Sequence, residues 1–212
     1  MKKIASLLIA VITLLSYASA GNPPRHNRSG ILEKGKIVFD VYYGFPSFRT
    51  FVLKNRYLPG NEINSASGTL GPLGGKVEYM LGDRIGIGLD INYVFSWVSW
   101  TEEESVYNPY GYWTDGDYKV ANPRIGIMPR FYYHYINNDM FEMYASAAIG
   151  YKSNAFRNTS NDPYWEPTDI QRIPIGGRIC IGGRLFFTDN IGMNFEFGIG
   201  GALFTVGLAG KL

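Results

Sequence analysis

The side chains that could do chemistry in this 212-residue chain are few: two histidines, His26 and His134, and one cysteine, Cys180. Acyl transfer needs a histidine beside a nucleophile and a carboxylate to orient the ring. His26 lies in a Pro-rich amino-terminal stretch, and His134 stands between Tyr133 and Tyr135 with no His-x-Ser pattern. His134 therefore reads as a structural residue at a strand end. One cysteine and two distant histidines cannot supply a zinc ligand set. Asp115-Gly116-Asp117 is a fragment of a calcium loop without the other ligands, and reads as a turn. No catalytic residue, metal or cofactor is expected, and the chain is not expected to be an enzyme.

The charged residues are more regular. Asp40, Lys76, Glu78, Asp90, Arg124, Arg130, Glu142, Arg178, Arg184 and Glu196 each alternate with Ile, Leu, Val, Phe or Tyr. Period two is the signature of a strand with two unlike faces. Gly82-Asp83, Asn137-Asn138-Asp139 and Asp189-Asn190 punctuate these runs, and such residues tolerate the backbone of tight hairpins. Between the hairpins lie longer stretches rich in Pro, Asn, Asp, Tyr and Trp. Eight strands follow, near 36–45, 73–81, 85–93, 124–135, 141–151, 173–187, 191–199 and 204–212. Pro129 removes a ladder donor from the fourth, so a bulge or local break is expected there.

Lys2 and Lys3, an apolar run and Ala18-Ser19-Ala20 read as a secretory signal over 1–20. Residues 21–35 read as a flexible periplasmic leader and 36–212 as a barrel domain. Without Lys2 and Lys3 the 20 basic residues fall to 18, equal to the 18 acidic ones, so no nucleic-acid partner is indicated. A single cysteine forms no internal disulfide. No apolar run after the signal reaches the roughly 18 residues of a membrane-spanning helix, so a membrane crossing must be a closed barrel.

Alternation alone does not tell which face looks inward. The polar face, however, also carries Gly44, Gly86, Gly88, Gly126, Gly176, Gly182, Gly192, Gly198 and Gly207. Glycine suits a crowded lumen, whereas the exterior of a soluble barrel favours Lys, Glu, Thr and Ser. The expectation is an eight-stranded antiparallel up-and-down transmembrane β-barrel, all-β. Its apolar face meets lipid, and its lumen is filled by paired charges and too narrow for a wide pore. Arg130 and Arg184 are expected near the periplasmic end, within reach of Glu142 and Glu196 through adjoining strands. Two aromatic girdles are expected: Tyr79, Phe131, Tyr133, Phe141, Phe186 and Phe187 beside the short turns, and Tyr43, Phe45, Phe95, Trp97, Tyr151 and Phe197 toward the long loops.

The signal, the short turns against long loops, Tyr79-Met80-Leu81-Gly82-Asp83, Phe187-Thr188-Asp189-Asn190 and the ending Val206-Gly207-Leu208-Ala209-Gly210-Lys211-Leu212 together resemble the small bacterial outer-membrane β-barrel domain family. The chain ends on Leu212 where members often end on an aromatic residue. The resemblance implies an outer-membrane location, both termini periplasmic, and lipid and lipopolysaccharide as neighbours. It also implies periplasmic chaperones and the barrel assembly machinery as partners during biogenesis. It extends to structural, adhesive and partner-binding surface proteins, to narrow channels for small or hydrophobic solutes, and more distantly to lipid-modifying enzymes. The long loops, 46–71, 101–117 and 157–169, are then the places for contact with an extracellular or membrane protein partner. The candidates are Glu102, Glu103, Glu104, Tyr107, Tyr110, Tyr112, Trp113, Tyr164 and Trp165. The first loop mixes apolar and basic residues and is suited to cap the barrel or form a short amphipathic piece.

Overall fold

The alternating runs form strands that close on one another. The computed structural model describes residues 32–58, 60, 62–107, 113–138, 140–153, 155–165 and 173–212. In chain order they form β1 (Ile37–Phe45), α1 (Arg49–Tyr57), β2 (Asn64–Met80), β3 (Ile85–Tyr107), β4 (Trp113–Asn137), β5 (Phe141–Lys152), β6 (Arg157–Ser160), β7 (Ile175–Phe186), β8 (Ile191–Ile199) and β9 (Phe204–Lys211). All neighbouring pairs are antiparallel. β1 pairs both β2 and β9, β3 pairs both β2 and β4, and β5 pairs β4 and β7, so eight strands make a ring. β6 stands outside it and pairs the upper part of β4.

Three hairpins at one end are tight, with the Leu81, Asn138 and Phe187 amides donating to the Ile85, Phe141 and Ile191 carbonyls. A fourth short connection, at the opposite end, joins β8 to β9 between Ile199 and Phe204. The stretch 101–117 is not the loop its composition suggests. β3 and β4 run to 23 and 25 residues against 9 in β8, so Asp115-Gly116-Asp117 is strand, not a turn. The stretch 46–71 likewise divides into α1 and the first part of β2, and 157–160 is β6.

Pro129 gives the local break and not a bulge. It stays in register with Leu89, while the ladder to β5 skips Met128 and Pro129 between Ile127↔Tyr151 and Arg130↔Ala148 without a change of register, and the register shift falls between His134 and Ile136. Residues 32–35, the end of the expected leader, are seated on the barrel. Leu32 exchanges two hydrogen bonds with the Asn137 amide, and Gly35 N–H donates to the Met80 carbonyl. Leu32 buries with Val38, Met80, Phe186 and Ala209, plugging the short-turn mouth. Phe186 therefore points inward and does not belong to the girdle of its end. Residues 1–31, with the expected signal, lie outside the described residues.

Candidate functional site

Period two puts one face of every ring strand inside. Asp40, Lys76, Glu78, Asp90, Arg130, His134, Glu142, Arg178, Arg184 and Glu196 are all buried there. Burying a charge is unfavourable unless partners replace its water, and the partners are close. Arg184 grips three carboxylates: Nε and Nη2 donate to Asp40 at 3.0 and 2.9 Å, Nη2 to Glu78 at 2.8 Å, and Nη1 to Glu142 at 2.5 Å. His134 sits among the same acids, with Nε2 2.6 Å from Glu78 and Nδ1 3.1 Å from Glu142.

A second cluster surrounds Glu196. Lys76 Nζ and Arg130 Nη2 donate to its Oε1 at 2.8 and 2.7 Å, as does the Tyr144 hydroxyl at 2.9 Å. Arg130 also reaches Asp90 at 3.1 Å and Ser146 Oγ at 2.7 Å, and Tyr42 donates to Asp90 at 2.7 Å. Lys76 lies 3.4 Å from Asp40 and so joins the two clusters. Tyr132 and Tyr144 fill the space between them, with the Arg184 guanidinium 4.8 Å from the Tyr144 ring centre. Gly182 makes room for this packing: a Cβ there would press on Tyr144 Cζ and Glu196 Cγ at 2.7 and 2.8 Å.

The opposite face is apolar and uncovered. Ile37, Val77, Tyr79, Ile87, Ile91, Ile127, Phe131, Ile179, Ile181, Phe195 and Leu208 are all exposed around the ring. A charged interior inside an apolar exterior is the inverse of a soluble protein, and matches a strand ring in lipid. The chain is an eight-stranded transmembrane β-barrel.

No family model and no curated protein matches this barrel's sequence. Solved structures match in outline. The N-terminal β-barrel domain of Pseudomonas aeruginosa OprF is 11% identical, with a TM-score of 0.42 over 85% of this chain and 100% of that one. The outer membrane protein OprG of the same organism is 10% identical, with a TM-score of 0.43 over 88% and 99%. Ail of Yersinia pestis, solved with the heparin analogue sucrose octasulfate, is 15% identical, with a TM-score of 0.29 over 84% and 99%.

Of the expected lumen residues, Arg124 stands apart from the two clusters. It lies six residues along β4 from Arg130, half-buried, where Nε donates to the Ser153 carbonyl. The two central arginines do reach the expected carboxylates, with the pairing exchanged and further acids added. Arg130 takes Glu196 and Asp90, whereas Arg184 takes Glu142, its direct register partner on β5, together with Asp40 and Glu78. Sequence reading passed over His134 as a network member, and passed over Tyr42, Tyr132, Tyr144 and Ser146. Their inward parity on β1, β4 and β5 was the available signal.

The loop candidates divide. Glu103 and Glu104 are exposed, and Tyr107 and Trp113 face each other edge-on at 5.2 Å with more than half their surface open. Tyr164 is 85% exposed. Tyr110 and Tyr112 lie outside the described residues. Glu102 instead accepts a hydrogen bond from Trp100 Nε1 at 2.8 Å. Trp165 packs inward on Trp100 and Tyr118, at 6.0 and 5.3 Å between ring centres, so it is part of a core. That core includes Leu53, Val98 and Val120, with Tyr57 of α1 against it. Burial there raises the Tyr118 hydroxyl above its ordinary pKa.

Proposed function

We propose that the chain is an outer-membrane protein with a lumen closed at rest, which works as a structural or adhesive surface protein through the tall β3–β4 hairpin and its neighbouring loops. The tight-turn end, where Leu32 docks, is then periplasmic. The observation that carries this reading is the closure: two linked ion clusters across the barrel, with Leu32 below them and α1 above. The exposed Glu103, Glu104, Tyr107, Trp113 and Tyr164 at the far end offer aromatic and acidic contacts to a protein or glycan partner. His134 is fully buried between two carboxylates, where no bilayer lipid reaches it. This supports a structural role for it over a catalytic one.

Purified protein in planar bilayers is expected to give no large reproducible conductance steps, and such steps would favour the narrow-channel reading. Cells carrying the protein should lose surface adherence when the hairpin above Thr101 and Asp117 is shortened. Protease on intact cells should cut near Tyr164 and the hairpin tip. Cleavage confined to the Gly82, Asn138 and Asp189 turns would invert the topology and overturn the reading.

A further inference from the structure

Between the ion clusters and α1 the lumen opens into a cavity of about 280 Å3, whose lining carries four cationic side chains, Arg49, Arg124, Lys152 and Arg178, and, among the described residues, no Asp or Glu. Arg178 is built into its floor. Nε donates to Cys180 Sγ at 3.1 Å and Nη1 to the Ala202 carbonyl at 3.0 Å, while Nη2 is buried with no hydrogen-bond partner among the described residues. The nearest carboxylate oxygen to Nη2 is Glu196 Oε2 at 3.7 Å, on a residue already held by Lys76 and Arg130. Lys152 Nζ donates once, to the Gly200 carbonyl at 2.5 Å, and an ammonium has three donors. Arg124 and Arg178 repel it, and the acid that opposes them among the described residues, Asp90, is engaged by Tyr42 and Arg130.

An anion in this recess would meet the spare donors of Arg178 Nη2 and the Lys152 ammonium, in a field made favourable by the surrounding cations. We propose that this vestibule binds a small water-borne oxyanion, phosphate or sulfate. Guanidinium forks match two oxygens of such an anion at once, and the volume is at the small end for ligand pockets. Gly200 and Gly201 line the cavity. Gly200 has φ +95°, and a Cβ on Gly201 would come 2.4 Å from Arg178 Nη1, in the way of an entering anion. Arg124, Lys152 and Arg178 stand on the inward face of β4, β5 and β7, away from the lipid-facing side chains, which favours a free anion over a lipid headgroup.

The test is calorimetric titration of the full chain, folded in a phosphate-free non-ionic detergent, with inorganic phosphate and with sulfate at constant ionic strength. Saturable single-site binding is expected, weakened about tenfold or more by Arg124→Gln and by Lys152→Gln and unchanged by Lys119→Gln on the outer face of the same end. Heat-modifiable gel mobility checks that each variant folds, and Arg124→Gln alone carries the test if Lys152→Gln does not. Absence of saturation by both anions, or full affinity in Arg124→Gln, overturns the proposal. Binding seen only when phosphatidylglycerol is added to the micelles also overturns it, in favour of a lipid headgroup.

Discussion

Along β3 and β4 the same inward face changes character part-way. In the lower half it carries Asp90, Arg130 and His134 and the outward face Ile87, Ile91, Ile127 and Phe131. In the upper half it carries Val98, Trp100, Tyr118 and Val120, and the outward face Ser99, Thr101, Asp117 and Lys119. The parity of the strand never changes, only the solvent outside it. Where lipid covers the exterior, apolar residues belong outside and the interior is free to be ionic. Where water covers it, the ordinary amphipathic rule returns and the inside must be apolar. The crossover lies near Trp97, whose ring carries Lys119 Nζ 5.7 Å from its centre, a pairing suited to a membrane edge. One continuous hairpin thus records one boundary of the bilayer.

Breaking each half should give different kinds of failure. The largest effect is expected from Arg184→Ala in the lower half, which leaves Asp40, Glu78 and Glu142 without their shared cation. Loss of one partner of a buried ion pair costs about 3 to 5 kcal/mol. The temperature at which the folded gel band converts to the unfolded one should fall clearly, and an unchanged temperature would show that the network is not structural. In the upper half, Trp100→Ala removes the centre of the aromatic core at a similar cost of about 3 to 5 kcal/mol. That loss should stay local, with faster proteolysis of the hairpin above Thr101 and the same band conversion temperature as the parent. A shared drop in both measurements would mean that the halves fold as one unit.

The crossover itself is sharpened by a matched pair. Ile87→Lys puts a charge on the lipid face at about 2 to 4 kcal/mol, by analogy with depth-dependent scans of such barrels. Ser99→Lys, twelve residues up the same face of β3, should leave stability unchanged. Urea-dependent unfolding in lipid vesicles measures both, and equal losses would remove the boundary from Trp97. The smallest effect is expected from Glu103→Ala, an exposed residue near the hairpin tip, with no change in conversion temperature.

Much of the lower half was legible in the residues. Strict alternation in Ile85–Tyr93 and Phe141–Tyr151, bounded by Gly82-Asp83 and the Asn137 turn, gave the strands, their hairpins and the faces. The lumen charges could be picked from parity alone. The upper half was not legible, because its alternation runs with reversed polarity. A reader following apolar-outward residues loses the pattern after Trp97, and Thr101–Asp117 then looks like loop. Trp165 and Phe186 were misplaced for a related reason: an aromatic residue reads the same in a girdle, a contact surface or a plug.

By itself, the sequence determined which side chains share a face, since parity is a property of the chain. Only the tertiary structure decided who meets whom. Arg130 reaches Glu196 across the lumen because ring closure and register bring β4 and β8 face to face. Leu32 becomes a plug because Asn137 waits at the same rim. Arg49 joins Arg124, Lys152 and Arg178 at one cavity because α1 folds back over β2, with Thr50 bonded to the Gly68 carbonyl. Contacts of this kind join residues far apart in the chain, and no local pattern carries them.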